Sequence, residues 1–201
     1  MLKKIALCLI PIALSGCGSL TPTREVVEGY KIYDIQTAYS PTLTFQLASA
    51  LKNTMQTKAK EVKFNNSLPP ATLPEKPKRF EVVEPFQSTG LGAFMAMSGQ
   101  KIRVPRCEGS VIDAITHDSF AGAEATTFYV CLIPYAKGYH MDVYYSFTKV
   151  SGGFDVDAMS RSLASAIAGD SSQFIPHTIA ALENAVRSTG VEPAIIEQYP
   201  H

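Results

Sequence analysis

The 201-residue chain has no tryptophan, modest charge and no excess of either sign: 18 Lys plus Arg balance 18 Asp plus Glu. Phosphate backbones are held by a net basic face, so this balance speaks against nucleic acid as a main partner. There are only four cysteines and no Cys-x-x-Cys spacing for a metal or redox pair. There is no Gly-x-Ser-x-Gly elbow and no Walker-type phosphate loop, and Gly90-x-Gly92 lacks the third glycine of a dinucleotide loop. Ser98 to Lys101 and Ser146 to Lys149 match Ser-x-x-Lys, but no Lys-Thr-Gly or Ser-Asp-Asn companion accompanies them. Ser146 also falls in a predicted strand, where it and Lys149 face opposite ways. Beyond residue 16 no stretch approaches the roughly 18–20 apolar residues of a membrane span.

What is present begins at the N-terminus. Residues 1–16 read MLKKIALCLIPIALSG: a short positive region at Lys3 and Lys4, then a mostly apolar run from Ile5 to Leu14 that is too short to cross a bilayer. That is the pattern of a secretory signal. It ends in Leu14-Ser15-Gly16-Cys17, which resembles the lipobox of bacterial lipoproteins. The resemblance implies a diacylglyceryl group on the Cys17 sulfur and cleavage before that residue. Two or three acyl chains hold a protein stably at a bilayer, where one is marginal. Gly18, rather than an aspartate, follows Cys17, and by the same resemblance this implies the outer membrane; the periplasmic side is expected in preference to the cell surface. The expected layout is a signal peptide over 1–16, a lipidated tether over 17–28 and one globular domain over 29–201. Removing residues 1–16 leaves 16 basic against 18 acidic side chains, a formal charge of −2.

With Cys8 in the signal and Cys17 lipidated, Cys107 and Cys131 remain for an oxidising compartment, where disulfides persist. The expectation is a structural disulfide closing a loop of roughly 25 residues and contributing about 3 kcal/mol; a metal or redox pair is the alternative.

The hydrophobic periodicity predicts an α+β domain: a mostly antiparallel sheet of five to six strands with three helices, packed mainly on one face. Ser40-Pro41 reads as a helix start, and Leu43, Leu47, Leu51 and Met55 form a stripe that Ala59 and Val62 extend. Asp155 and the Ile175, Ile179, Leu182, Val186 stripe mark two later helices, with Gly190 ending the last. Residues 65–79, with four prolines, read as a long irregular loop. Strands are expected over Tyr30–Ile35, Phe80–Val83, Lys101–Arg106, Val111–His117, Thr126–Tyr135 and Tyr139–Val150, the last two as a hairpin. In the final strand Tyr139, Met141, Val143, Tyr145 and Phe147 alternate with His140, Asp142, Tyr144, Ser146 and Thr148, which predicts one face on the core and one wet.

Three readings of function follow. The first is a non-enzymatic accessory domain, without cofactor, that binds a protein partner of the envelope. The second is a metal-dependent or glycan- or cell-wall-acting enzyme using His117, His140 and Asp142, since His140 and Asp142 share one strand face and histidine serves metals and proton transfer alike. The third is a lipid or lipopolysaccharide binder using the apolar Gly90–Met97 segment and the basic cluster Lys58, Lys60, Lys63, Lys76, Lys78 and Arg79, which near an anionic surface contributes about 1 kcal/mol per residue. The tyrosine-rich strands, Tyr144 with His140 in particular, are a candidate contact surface.

Overall fold

The computed structural model describes residues 23–85, 88–90, 103–120, 124–151 and 171–200. The elements are strand β1 (Thr23–Gln36), helix α1 (Pro41–Lys58), strands β2 (Val62–Asn66), β3 (Phe80–Val83), β4 (Val104–Cys107), β5 (Ile112–Phe120), β6 (Glu124–Tyr135) and β7 (Gly138–Ser151), helix α2 (Ser171–Arg187) and strand β8 (Ala194–Tyr199). Six strands form one sheet in the order β2-β5-β6-β7-β1-β8, while β3 and β4 form a separate two-stranded ribbon. Every pairing is antiparallel. The class is the α+β one expected, with two helices among the described residues rather than three. The helix expected from Asp155 falls within 152–170, outside the described residues.

The helices cover one sheet face because each carries a single apolar stripe. Leu47, Leu51 and Met55 of α1 and Ile175, Ile179, Leu182 and Val186 of α2 join Tyr33, Ile35, Phe128, Val130, Leu132, Tyr139, Met141 and Val143 in the main core. Several polar atoms inside this layer are paired where helix meets sheet. The Tyr139 hydroxyl donates to the Ser40 carbonyl at 3.0 Å and lies 2.8 Å from Thr44 Oγ1, and Tyr33 donates to Glu183 at 2.6 Å. Ser40 caps α1 as its sequence predicts, its hydroxyl accepting from Leu43 N.

Two boundaries differ from expectation. Helix α1 stops at Lys58, with Ala59 already extended, so Val62 belongs to β2 and not to the helical stripe. Val62 and Phe64 are half-buried while Lys63 and Asn65 are exposed, an alternation of period two that suits a strand at a sheet edge. Pairing of β1 with β7 starts at Thr23↔Ser151, so the last six residues of the expected tether, Thr23–Glu28, form part of the sheet.

The expectation of one wet face is corrected. His140, Asp142 and Tyr144 are 6%, 0% and 3% exposed, because the β3–β4 ribbon lies over them. Phe80 packs on Tyr30 and Tyr144 with ring centroids 5.6 and 5.7 Å apart. Cys107 of β4 is joined to Cys131 of β6 by the disulfide expected between them. Phe80, Val82 and Cys107 thus close a second, smaller core over Ile115, Tyr129, Cys131, Ile133 and Tyr144. Where the ribbon lies, over β6 and the first half of β7, the sheet is buried on both sides. Tyr129, Tyr135, Tyr139 and Tyr144 are core residues rather than an exposed contact surface, and Tyr145 is partly buried against the main core.

Candidate functional site

Under the ribbon the register brings three ionisable side chains together. Asp34 on β1 pairs across from His140 on β7, and Asp142 follows two residues on, on the same face. His140 Nε2 is 3.8 Å from Asp34 Oδ1, and its Nδ1 is 3.8 Å from Asp142 Oδ1. Tyr135 donates to Asp34 at 2.7 Å, and the Phe80 amide donates to Asp142 Oδ2 at 2.9 Å. Among the described residues His140 Nδ1 and Asp142 Oδ1 have no hydrogen-bond partner. Beside them Arg79 and Tyr30 both donate to Glu197 of β8, at 2.6 and 2.7 Å. Burial pushes the Asp142 carboxyl up to about 6, against the pull of the Phe80 amide and of Arg79. Burial also lowers His140, with Asp34 opposing and Arg79 reinforcing the shift.

His140 and Asp142 are buried, at 6% and 0% exposed. Among the described residues no group of three His, Cys, Asp or Glu side chains is placed to hold a metal. His117 does not join His140. It pairs with Thr127 on β6, whereas His140 pairs with Ile133. That is six residues along the strand direction, about 20 Å. Three open surface cavities of about 450–460 Å³ border neither His140 nor Asp142.

The arrangement makes a pH prediction. A carboxyl raised in the folded state contributes stability below its ordinary range that is lost as pH rises through about 6. A histidine lowered in the folded state contributes stability at high pH that is lost as pH falls through its ordinary range. Above pH 6 the Asp142 charge is therefore a burden. Asp142→Asn keeps an oxygen for the Phe80 amide and adds a donor facing His140 Nδ1. It is expected to raise stability at pH 7 by on the order of 2 kcal/mol and to flatten the decline that Asp142 causes between about pH 4 and 7. Urea unfolding at both pH values checks this; equal pH dependence in the variant and the parent would refute it.

The basic cluster is dispersed. Lys58, Lys60 and Lys63 sit at the end of α1 and on β2. Lys78 pairs with Glu108 at 2.5 Å and Arg79 with Glu197 on β8, the opposite edge of the sheet. Five strand spacings, about 24 Å, separate those edges. Lys76 is exposed in the proline-rich loop. That loop passes the β6–β7 turn, where the Ala136 amide donates to the Pro74 carbonyl at 2.9 Å. Of the Gly90–Met97 segment only Gly90 lies among the described residues.

The open site is elsewhere. A cavity of about 460 Å³ lies between the first half of α1 and the turn after β2. Val111 and Ile112 line it where β5 begins, Tyr39, Phe45 and Lys52 form one wall, and Asn66 and Pro69 form the other. Phe45 is 73% exposed although it lies on a helix packed against the core, and Leu68 in the adjoining turn is 92% exposed. Lys52 Nζ lies 5.4 Å from the centre of the Phe64 ring, which orients it along this flank. The sequence did not single out this groove. Phe45 lies off the α1 stripe, and that displacement was the one signal in reach. Comparison of the chain with protein-family models, curated proteins and solved structures finds no match.

Proposed function

We propose that this protein is an envelope lipoprotein, cut before Cys17 and held by acyl chains to the periplasmic side of the outer membrane, whose α+β domain is a non-enzymatic module binding a protein partner. The observation that carries the binding half is the apolar groove with Phe45 exposed on its rim. Exposed Phe45 and Leu68 beside a concavity give this flank the apolar, concave character that binding sites share. The catalytic alternative has less support, because the one imidazole–carboxylate cluster among the described residues is sealed beneath the ribbon. Thr23 lies six residues beyond Cys17, a reach of at most about 22 Å. The groove lies at the level of Ile112, which aligns through Leu132 and Met141 with Tyr33. That is ten residues up β1, about 33 Å from its start. A groove so placed faces other envelope components better than it faces the anchoring leaflet.

The anchor is tested on the native protein by mass spectrometry, which is expected to show diacylglyceryl and acyl mass on Cys17; Cys17→Ser is expected to move the protein to the soluble fraction. The binding half is tested by a photo-crosslinking residue at Phe45 in living cells, with Glu192, 81% exposed in its side chain, as the control position. A discrete protein adduct is expected at Phe45 only. Its absence from Phe45 and from neighbouring groove positions would overturn the binding half.

A further inference from the structure

Resting on that reading, we infer that the partner presents an extended acidic segment, which adds to the free edge of β2 as a further strand and seats an apolar side chain in the groove. Three features of this flank coincide. Among the described residues strand β2 is hydrogen-bonded to β5 alone, so its other side offers backbone donors and acceptors to an added strand. The edge ends at Asn66, which also lines the groove, so strand and cavity form one continuous surface. The flank is also basic within a chain of zero net formal charge: residues 41–70 carry Lys52, Lys58, Lys60 and Lys63 against Glu61 alone. Lys58, Lys60 and Lys63 are exposed and make no ion pair among the described residues. Asp113, the nearest acid on β5, is engaged by Asn65 and Ser110.

An anionic lipid surface shares the charge chemistry but not the rest. Headgroups do not supply the alternating amides and carbonyls that a strand edge takes. Lys63 aligns through Ile115, Tyr129 and Tyr144 with Tyr30. That is seven residues along the strand direction from Thr23, about 23 Å. Screening over about 8–10 Å weakens attraction to headgroups across such a distance. The other sheet edge, β8, carries exposed Ile195, Ile196 and Tyr199, but among the described residues its neighbouring Arg79 is paired with Glu197, and it borders none of the three cavities.

The test uses the mature lipoprotein in neutral detergent micelles. The probe is a fluorescent decapeptide alternating glutamate with valine and carrying one central phenylalanine. Binding is read by anisotropy, beside the same peptide N-methylated at alternate residues, its lysine counterpart, and vesicles containing anionic phospholipid. The acidic peptide is expected to bind, to lose at least tenfold in affinity on N-methylation, and to lose at least tenfold in the Lys60→Glu/Lys63→Glu variant. A second pair, Lys58→Glu/Lys60→Glu, leaves β2 itself untouched and is expected to weaken binding in the same direction. Failure of the acidic peptide, indifference to N-methylation, or lysine-dependent binding of vesicles alone would each overturn the inference. In cells, crosslinks from Phe45 and Asn65 are expected to map within one net-negative stretch of a single partner. Mapping to a basic stretch would overturn the acidic-strand inference while the broader binding reading stood, whereas loss of the Phe45 adduct itself would remove both.

Discussion

Gly138→Ala is expected to cost 3 kcal/mol or more, enough to remove a large share of a domain's stability. Gly138 follows the Ala136–Lys137 turn and opens β7 at φ +148. A Cβ there would lie 2.1 Å from the Ile35 carbonyl oxygen and 3.1 Å from the Thr37 amide nitrogen, both backbone atoms. No rotamer relieves that contact. The end of β1 would have to separate from β7 where Gln36 pairs with Gly138 and where the Thr37 amide donates to the Lys137 carbonyl at 3.1 Å. Ile35 and Tyr139, both fully buried, stand beside the displaced backbone. Gly109 provides the control. It has φ +81 but nothing within 4 Å of its would-be Cβ, so Gly109→Ala is expected to cost only about 1 kcal/mol of backbone strain. Urea unfolding of the two variants separates the effects. A Gly138→Ala protein within 1 kcal/mol of its parent would contradict the close packing of β1 on the β6–β7 turn.

The contrast between those glycines also marks how far the sequence can be read. Strands β1, β3, β5, β6 and β7 and both stripes, Leu47–Met55 and Ile175–Val186, were legible because each element announces itself through the period of its own apolar residues. The cystine was legible from counting. What lay beyond reach depends on neighbours distant in sequence. The polar row His140, Asp142, Tyr144 reads as a solvated face by alternation alone. Only the register Phe80↔Cys107, with β4 tied to β6, places a lid on it. Asp34 reads as an ordinary strand polar residue until β1 pairs with β7 in the register Asp34↔His140. The His117, His140, Asp142 set is plausible in sequence, and the β5–β6–β7 register carries His117 away from the other two. Lys58 to Arg79 reads as one basic cluster, yet the proline-rich loop leads to an Arg79 bound at the β8 edge and a Lys78 bound to Glu108 beyond β4, away from Lys63 on β2. Strand β2 escaped because Val62 fits a helical repeat from Met55 as well as it fits an alternation with Phe64. The groove escaped because a cavity belongs to no single element.

The double variant Cys107→Ser/Cys131→Ser is expected to lose roughly 3–4 kcal/mol, the chain-entropy value for a closed loop of this size, and to lose it unevenly. The bridge spans 24 residues and fastens the β3–β4 ribbon covalently to β6. Two four-residue strands without a further neighbour are marginal in water, and the ribbon's apolar hold consists of Phe80, Val82 and Cys107 on the ribbon face of the sheet. The ribbon is therefore expected to open before the six-stranded sheet does, exposing Asp142, His140 and Tyr144 while the helix-covered core persists. Hydrogen exchange reads this directly. In the variant the Phe80 amide, which donates to Asp142, is expected to lose protection by orders of magnitude more than the Val130 and Leu132 amides of β6. Opening also returns Asp142 to water, so its carboxyl falls back from about 6 toward its ordinary value and the decline in stability between about pH 4 and 7 shrinks, as in Asp142→Asn. Combining the two changes then gives less than the sum of their separate effects on that slope, because both act on the same buried charge. Uniform loss of protection across the ribbon and β6, together with an unchanged pH slope, would mean that the disulfide stabilises the whole domain at once and that the ribbon is no separate lid.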